Sequence, residues 1–127
     1  MSRSAHLDNK KGIDRHATVA EDDDYFVLKP KHSGFFSTTL NVLLEYLQVR
    51  TLIIGGFAGN ICVLFTANDA YMREYNLFVP QDCSASNTTR ENEEAMAQIE
   101  KVLKADVRSA AKLVEMAMFR DRPKRQR

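Results

Sequence analysis

Cysteine is scarce in this chain: two residues, Cys62 and Cys83, among 127. Two thiols cannot build the disulfide framework of a small secreted domain, so free thiols in a reducing, cytoplasmic setting are expected. An excess of charge of either sign is lacking as well. Eighteen basic residues against seventeen acidic ones leave +1, which selects neither nucleic acid, nor a membrane surface, nor a strongly charged partner. The start, Met1 to His6, carries no apolar h-region of a signal peptide. Long apolar runs are also missing. The nearest approach, Leu52 to Ala67, is interrupted by Gly55, Gly56, Gly59 and Asn60, whereas a spanning helix needs about 20 apolar residues. His6, His16 and His32 form no zinc-ligand spacing, and no metal or other cofactor is expected. There is no internal repeat and no low-complexity tract.

What remains is 44% hydrophobic residues, enough for the core of one domain in a chain too short for two. Residues 1–24 follow neither the helical nor the strand period and read as loop or disorder. Residues 25–119 read as the domain, and 120–127 as a basic flexible tail. Within the domain, Tyr25-Phe26-Val27-Leu28 is expected as a strand stopped by Lys29-Pro30, which leaves Lys29 at its carboxyl end. Leu40, Leu43, Leu44 and Leu47 share one face of a helix from about Thr38 to Gln48, with Ser37 or Thr38 as cap. Thr51-Leu52-Ile53-Ile54 reads as a buried parallel strand. A helix from about Asn60 to Tyr75 follows, with Val63, Ala67, Ala70 and Tyr71 inward. Asn76–Val79 is the third strand, ended by Pro80. Thr88 and Glu91 have capping-box spacing before a helix whose apolar face is Ala95, Ile99, Val102 and Leu103. A last helix is expected over about Ser109 to Phe119.

Alternating strands and helices predict βαβ units with right-handed crossovers: an α/β, Rossmann-like, three-layer α/β/α domain on a parallel sheet. Ligands in such sheets bind beyond the carboxyl ends of the strands. That rule selects Lys29, the loop from Gly55 to Cys62, and Gln81–Ser84. In the loop, a buried strand runs through small residues into a helix whose first turn holds Cys62. Free N–H groups and the positive helix end favour an anion there, and a nearby cation such as Lys29 lowers a thiol pKa further. The N–H groups of Ala58 and Cys62 could stabilise an oxyanion. The plainer alternative is that Cys62 is a packing residue and Lys29 a solvated strand-end lysine. Spacing alone favours that alternative.

The segment Lys29-Pro30-Lys31-His32-Ser33-Gly34-Phe35-Phe36-Ser37-Thr38-Thr39-Leu40 resembles the K-P-x-x-S-x-F-x-x-T-x-L segment of the isochorismatase-like cysteine hydrolases. Thr51–Ile54 followed by Gly55 to Val63 resembles their nucleophile loop. Thr66-Ala67-Asn68-Asp69-Ala70 is similar to the T-A-x-D-A stretch, and Val79-Pro80-Gln81-Asp82-Cys83 to the strand end that follows. In order, these pieces cover about Asp24 to Asp106. The resemblance implies catalysis by aspartate, lysine and cysteine on small amides such as nicotinamide or carbamoyl compounds, or on related small molecules. Lys29 and Cys62 match the lysine and cysteine. It also implies a cis peptide at Phe57–Ala58 that turns the Ala58 N–H towards the substrate.

The family's aspartate ends a strand upstream of all these motifs, and none of Asp8, Asp14 or Asp22 to Asp24 follows an apolar strand. The domain therefore reads as amino-terminally truncated relative to the family. Two expectations compete: a cysteine hydrolase lacking its acid–base aspartate, and a non-catalytic remnant or binding protein that keeps the fold. An uncovered sheet edge predicts a homo-oligomer. His32, Phe35 and Asn60 are candidate pocket residues, although a surface role suits His32 better and a core role suits Phe35 and Phe36. Cys83 reads as packing. The basic tail reads as a solvated terminus rather than a nucleic-acid contact.

Overall fold

The computed structural model describes residues 20–120. Expectations for residues 1–19 and 121–127 lie outside the described residues. In chain order the elements are α1 (Leu40–Tyr46), β1 (Thr51–Ile53), β2 (Gly56–Phe57), a π-helical turn (Gly59–Val63), α2 (Leu64–Met72), β3 (Asn76–Phe78), a 3-10 turn (Gln81–Cys83), β4 (Ser84–Ala85), α3 (Thr89–Leu103) and α4 (Ala110–Arg120). The strands pair in parallel. β1 lies beside β3 with Leu52 opposite Leu77, and β2 lies beside β4 with Gly56 opposite Ser84. Past α3, the chain returns along β3: the Asp106 N–H donates to the Leu77 carbonyl at 3.0 Å and the Val79 N–H donates to the Asp106 carbonyl at 2.8 Å. The fold is α/β with parallel pairing, as the alternation of apolar runs and helical stripes predicts.

The core forms where the inward stripes meet. Val63, Ala67 and Ala70 face Leu77 and Val79, and Ala95, Met96, Ile99 and Leu103 cover them from α3. Small alanines on α2 let that helix lie close to the strands. Two stripe residues named from the sequence fall outside: Tyr71 is 45% and Val102 54% exposed. Met96 takes the inward place on α3, because Met96, Ile99 and Leu103 recur every three or four residues and so stay on one side of the helix. The caps follow local chemistry. Thr88 Oγ1 accepts the Glu91 N–H at 3.1 Å. At α1 the cap position falls instead on Thr39, whose side chain makes no cap bond; the Thr38 hydroxyl before it accepts the Leu40 N–H at 3.2 Å and donates to the Gly34 carbonyl at 2.6 Å.

The strand expected at Tyr25–Leu28 does not form. Leu28 is 92% and Phe26 74% exposed, and the segment joins no ladder among the described residues. Apolar and β-branched residues favour a strand only when a neighbour satisfies the backbone and covers the side chains. Lys29 is therefore not held at the end of a strand. The turn that follows it takes over that task.

Candidate active site

The loop that leads to Cys62 begins where β1 ends. Its first two glycines have separate causes. A side chain at Gly55 would place Cβ 2.7 Å from the Cys83 carbonyl oxygen, and Gly56 has φ +137°, a conformation that side chains resist. The Phe57–Ala58 peptide is cis. The buried Ala58 then turns the chain into the π-helical turn, its carbonyl accepting the N–H groups of Ile61 and Val63, each at 3.1 Å. Cys62 lies in that turn, half-buried, with a free thiol.

Lys29 Nζ donates to Cys62 Sγ at 3.3 Å and to the Lys31 carbonyl at 3.3 Å. Thirty-three residues separate the two partners, so the contact depends on what fastens the segment after Lys29. The fastening is a set of bonds to α2. The buried Ser33 donates its hydroxyl to Asp69 Oδ2 at 2.6 Å and accepts the Phe35 N–H at 3.1 Å. The Gly34 N–H donates to Thr66 Oγ1 at 2.9 Å. The His32 ring stacks on Phe65 at 5.5 Å. Asp69 also pairs with Arg73 at 3.3 Å, and that guanidinium lies 4.7 Å over the Phe35 ring. Phe65, Thr66 and Asp69 all belong to α2, which continues directly from the turn bearing Cys62. The helix that anchors the loop bearing the ammonium thus follows directly on the turn that bears the thiol.

The other residues named from the sequence divide. Ala58 and Cys62 share the turn, and Phe57 beside them is 67% exposed. His32 is exposed and occupied with Phe65. Phe35 is not in an open site: it is buried in the core with Leu44 and Ala67. The Asn60 side chain makes no hydrogen bond among the described residues, whereas its backbone N–H donates to Ser86 Oγ at 3.2 Å. Ser33, Thr66, Asp69, Ser86 and Asn92 were given no role from sequence. Asn92 had a faint signal, a polar residue one turn before Ala95 and Met96 on the inward side of α3.

Two open clefts of about 550 Å³ and 500 Å³ indent the surface, and neither is lined by Lys29 or Cys62. Of the pair, Lys29 is exposed and Cys62 half-buried. Among the described residues, no group of three His, Cys, Asp or Glu side chains could hold a metal ion, and no helix is long and apolar enough to cross a membrane.

Cys83 differs from Cys62 in its surroundings. Partial desolvation, then the Asp82 carboxylate beside it, push its thiol pKa up, and its Sγ is 3.9 Å from Asp82 Oδ1. A raised pKa means less thiolate at any given pH. In Cys62→Ala protein, alkylation of Cys83 by iodoacetamide at pH 7.5 is expected to run severalfold slower than that of a free cysteine peptide, and Asp82→Asn to speed it. Equal rates for the protein and the peptide would contradict the assignment.

The isochorismatase domain model matches residues 8–112. The chain belongs to the isochorismatase family. The uncharacterized isochorismatase family protein YaaI of Bacillus subtilis is 56% identical over 94 residues, which is 74% of this chain and 52% of that protein. The ureidoacrylate amidohydrolase RutB of Methylorubrum extorquens is 42% identical over 59 residues, 46% of this chain and 24% of the relative. Among solved structures, the nicotinamidase SaPncA from Staphylococcus aureus superposes with TM-score 0.64 at 35% identity, covering 65% of this chain and 52% of that one. The chain thus spans about half the length of YaaI and about a quarter of RutB. The isochorismatase-family motifs read from sequence fall within the matched segment, and the bonds from Ser33 and Gly34 to α2 give two of them a physical task.

Proposed function

We propose that this isochorismatase-family chain supplies the nucleophilic part of a cysteine hydrolase acting on a small amide or a related small molecule. One observation carries the reading: the 3.3 Å contact between Lys29 Nζ and Cys62 Sγ, in the turn that leads directly into α2, which sets an ammonium beside the sulfur of a candidate nucleophile. In this mechanism the Cys62 thiolate attacks the carbonyl carbon. The charge moves to the carbonyl oxygen, which the N–H groups of Ala58 and Cys62 receive. The C–N bond then breaks, the amine leaves with a proton, and a thioester remains. Water hydrolyses the thioester, releasing the acid and restoring the thiol. The proton transfers require a carboxylate, and among the described residues Lys29 pairs with none.

Relatives named for their activities, the ureidoacrylate amidohydrolase and the nicotinamidase, support amides as the substrate class. A cytoplasmic setting suits two free thiols. A homo-oligomer suits the exposure of Leu28 and of Ile53, 65% exposed on β1. The test is release of ammonia from a panel of small primary amides, expected above a heat-denatured control. That no carboxylate pairs with Lys29 among the described residues motivates a second reading, a fold-retaining binding protein. No ammonia from any amide, together with saturable binding of one by calorimetry, would establish that reading in place of the first.

A further inference from the structure

Gly59 is pressed against α3 at a point that catalysis by Lys29 and Cys62 does not itself explain. A Cβ there would fall 2.1 Å from Asn92 Oδ1 and 3.2 Å from Ser86 Oγ. Those two side chains form a directed chain of hydrogen bonds. The Asn60 N–H donates to Ser86 Oγ at 3.2 Å, the Ser86 hydroxyl donates to Asn92 Oδ1 at 2.8 Å, and Asn92 Nδ2 donates to the Ser84 carbonyl at 3.3 Å. A hydroxyl has one proton to give, so with Asn92 as its acceptor Ser86 presents a lone pair to Asn60. Asn92 in turn is fixed by the Ser84 carbonyl, since its amide must direct Nδ2 that way. Each member polarises the next, and both side chains are half-buried. The chain ends on a backbone N–H two residues before Cys62.

We infer that Ser86 and Asn92 are positioning residues, a latch from the residue after β4 and from α3 that fixes the nucleophile turn and thereby keeps Cys62 Sγ against the Lys29 ammonium. The inference rests on the proposed function, because it assigns the latch to the reactivity of that thiol. Lys29 approaches Cys62 from the α2 side through Ser33 and Gly34, and the latch grips the turn from the α3 side. Neither grip replaces the other. Freed from the latch, the turn can move relative to an ammonium that remains in place, and the contact lengthens. Gly59 is required because any side chain would displace the Asn92 amide from the Ser86 hydroxyl.

The test is the pH profile of Cys62 alkylation by iodoacetamide, a neutral reagent, in Cys83→Ser protein, with folding followed by thermal melting. Ser86→Ala is expected to slow alkylation at pH 7 by a factor of about five, the effect of one neutral hydrogen bond, and to leave the high-pH plateau unchanged. Ser86→Thr, which keeps the hydroxyl, is expected to restore the parental profile. A purely structural role would lower the melting temperature without moving the midpoint of the profile. If Ser86→Ala does not fold, Gly59→Ala carries the same test, since its methyl group displaces Asn92. Lys29→Met in parallel separates the two levels. An unmoved midpoint in Lys29→Met overturns the lysine–thiolate reading. A midpoint moved in Lys29→Met but unmoved in folded Ser86→Ala or Gly59→Ala overturns the latch.

Discussion

Cys62→Ala is expected to abolish ammonia release from any amide that the parent protein hydrolyses, a loss of at least about 10³-fold. Its fold should be unchanged, because Cys62 is half-buried and outside the principal core cluster. Lys29→Met keeps the length of the side chain and removes the ammonium, and it should lose about 10²-fold, within the range of single electrostatic contributors. The asymmetry follows from chemistry. In the proposed mechanism no covalent intermediate forms without the sulfur, whereas without the ammonium the sulfur is still present but loses the partner that holds it in place. Because Lys29 is exposed and, among the described residues, bonds Cys62 Sγ and the Lys31 carbonyl alone, thermal stability should barely respond. Cys62→Ala protein that retains parental turnover would remove the cysteine mechanism altogether.

The second large effect is on stability. Ile99 has no exposed surface and belongs to the cluster formed by α2, β3 and α3. Its carbonyl also accepts the Ala105 N–H where α3 ends. Ile99→Ala is expected to cost about 2–5 kcal/mol and Ile99→Val about 0.5–1.5 kcal/mol. Domains of this size are stable by about 5–15 kcal/mol, so the alanine variant should unfold at a much lower urea concentration, and the valine variant only slightly lower. Midpoints from urea unfolding followed by circular dichroism provide the check. An alanine variant within experimental error of the parent would mean that the α3 face is not the structural centre of the domain.

Ile99 was legible from the helical period of its segment, and so were Ala95 and Leu103. Val102 satisfied the same hydropathy rule yet lies at the margin, because periodicity gives a stripe without giving the width of the surface that covers it. The Tyr25–Leu28 segment failed for a related reason. Its composition is that of a strand, but a strand exists only through its neighbours, and neighbours are not encoded locally. Lys29 and Cys62 were legible from their motifs. Phe35 was open between core and pocket, and the Arg73 guanidinium above its ring together with Leu44 nearby place it in the core.

Local chemistry in the sequence determined the cap at Thr88, the alternation of helices and strands, the glycine loop before Cys62 and the family that these motifs resemble. Each depends on residues within a few positions of one another. Tertiary structure alone decided that Ser33 and Gly34 would fasten to α2 and that Ser86 and Asn92 would meet the chain at Gly59. It also decided that an ammonium thirty-three residues away would come to rest on the Cys62 sulfur. Those contacts depend on the packing of distant segments, and side-chain chemistry constrains what may meet without specifying what does.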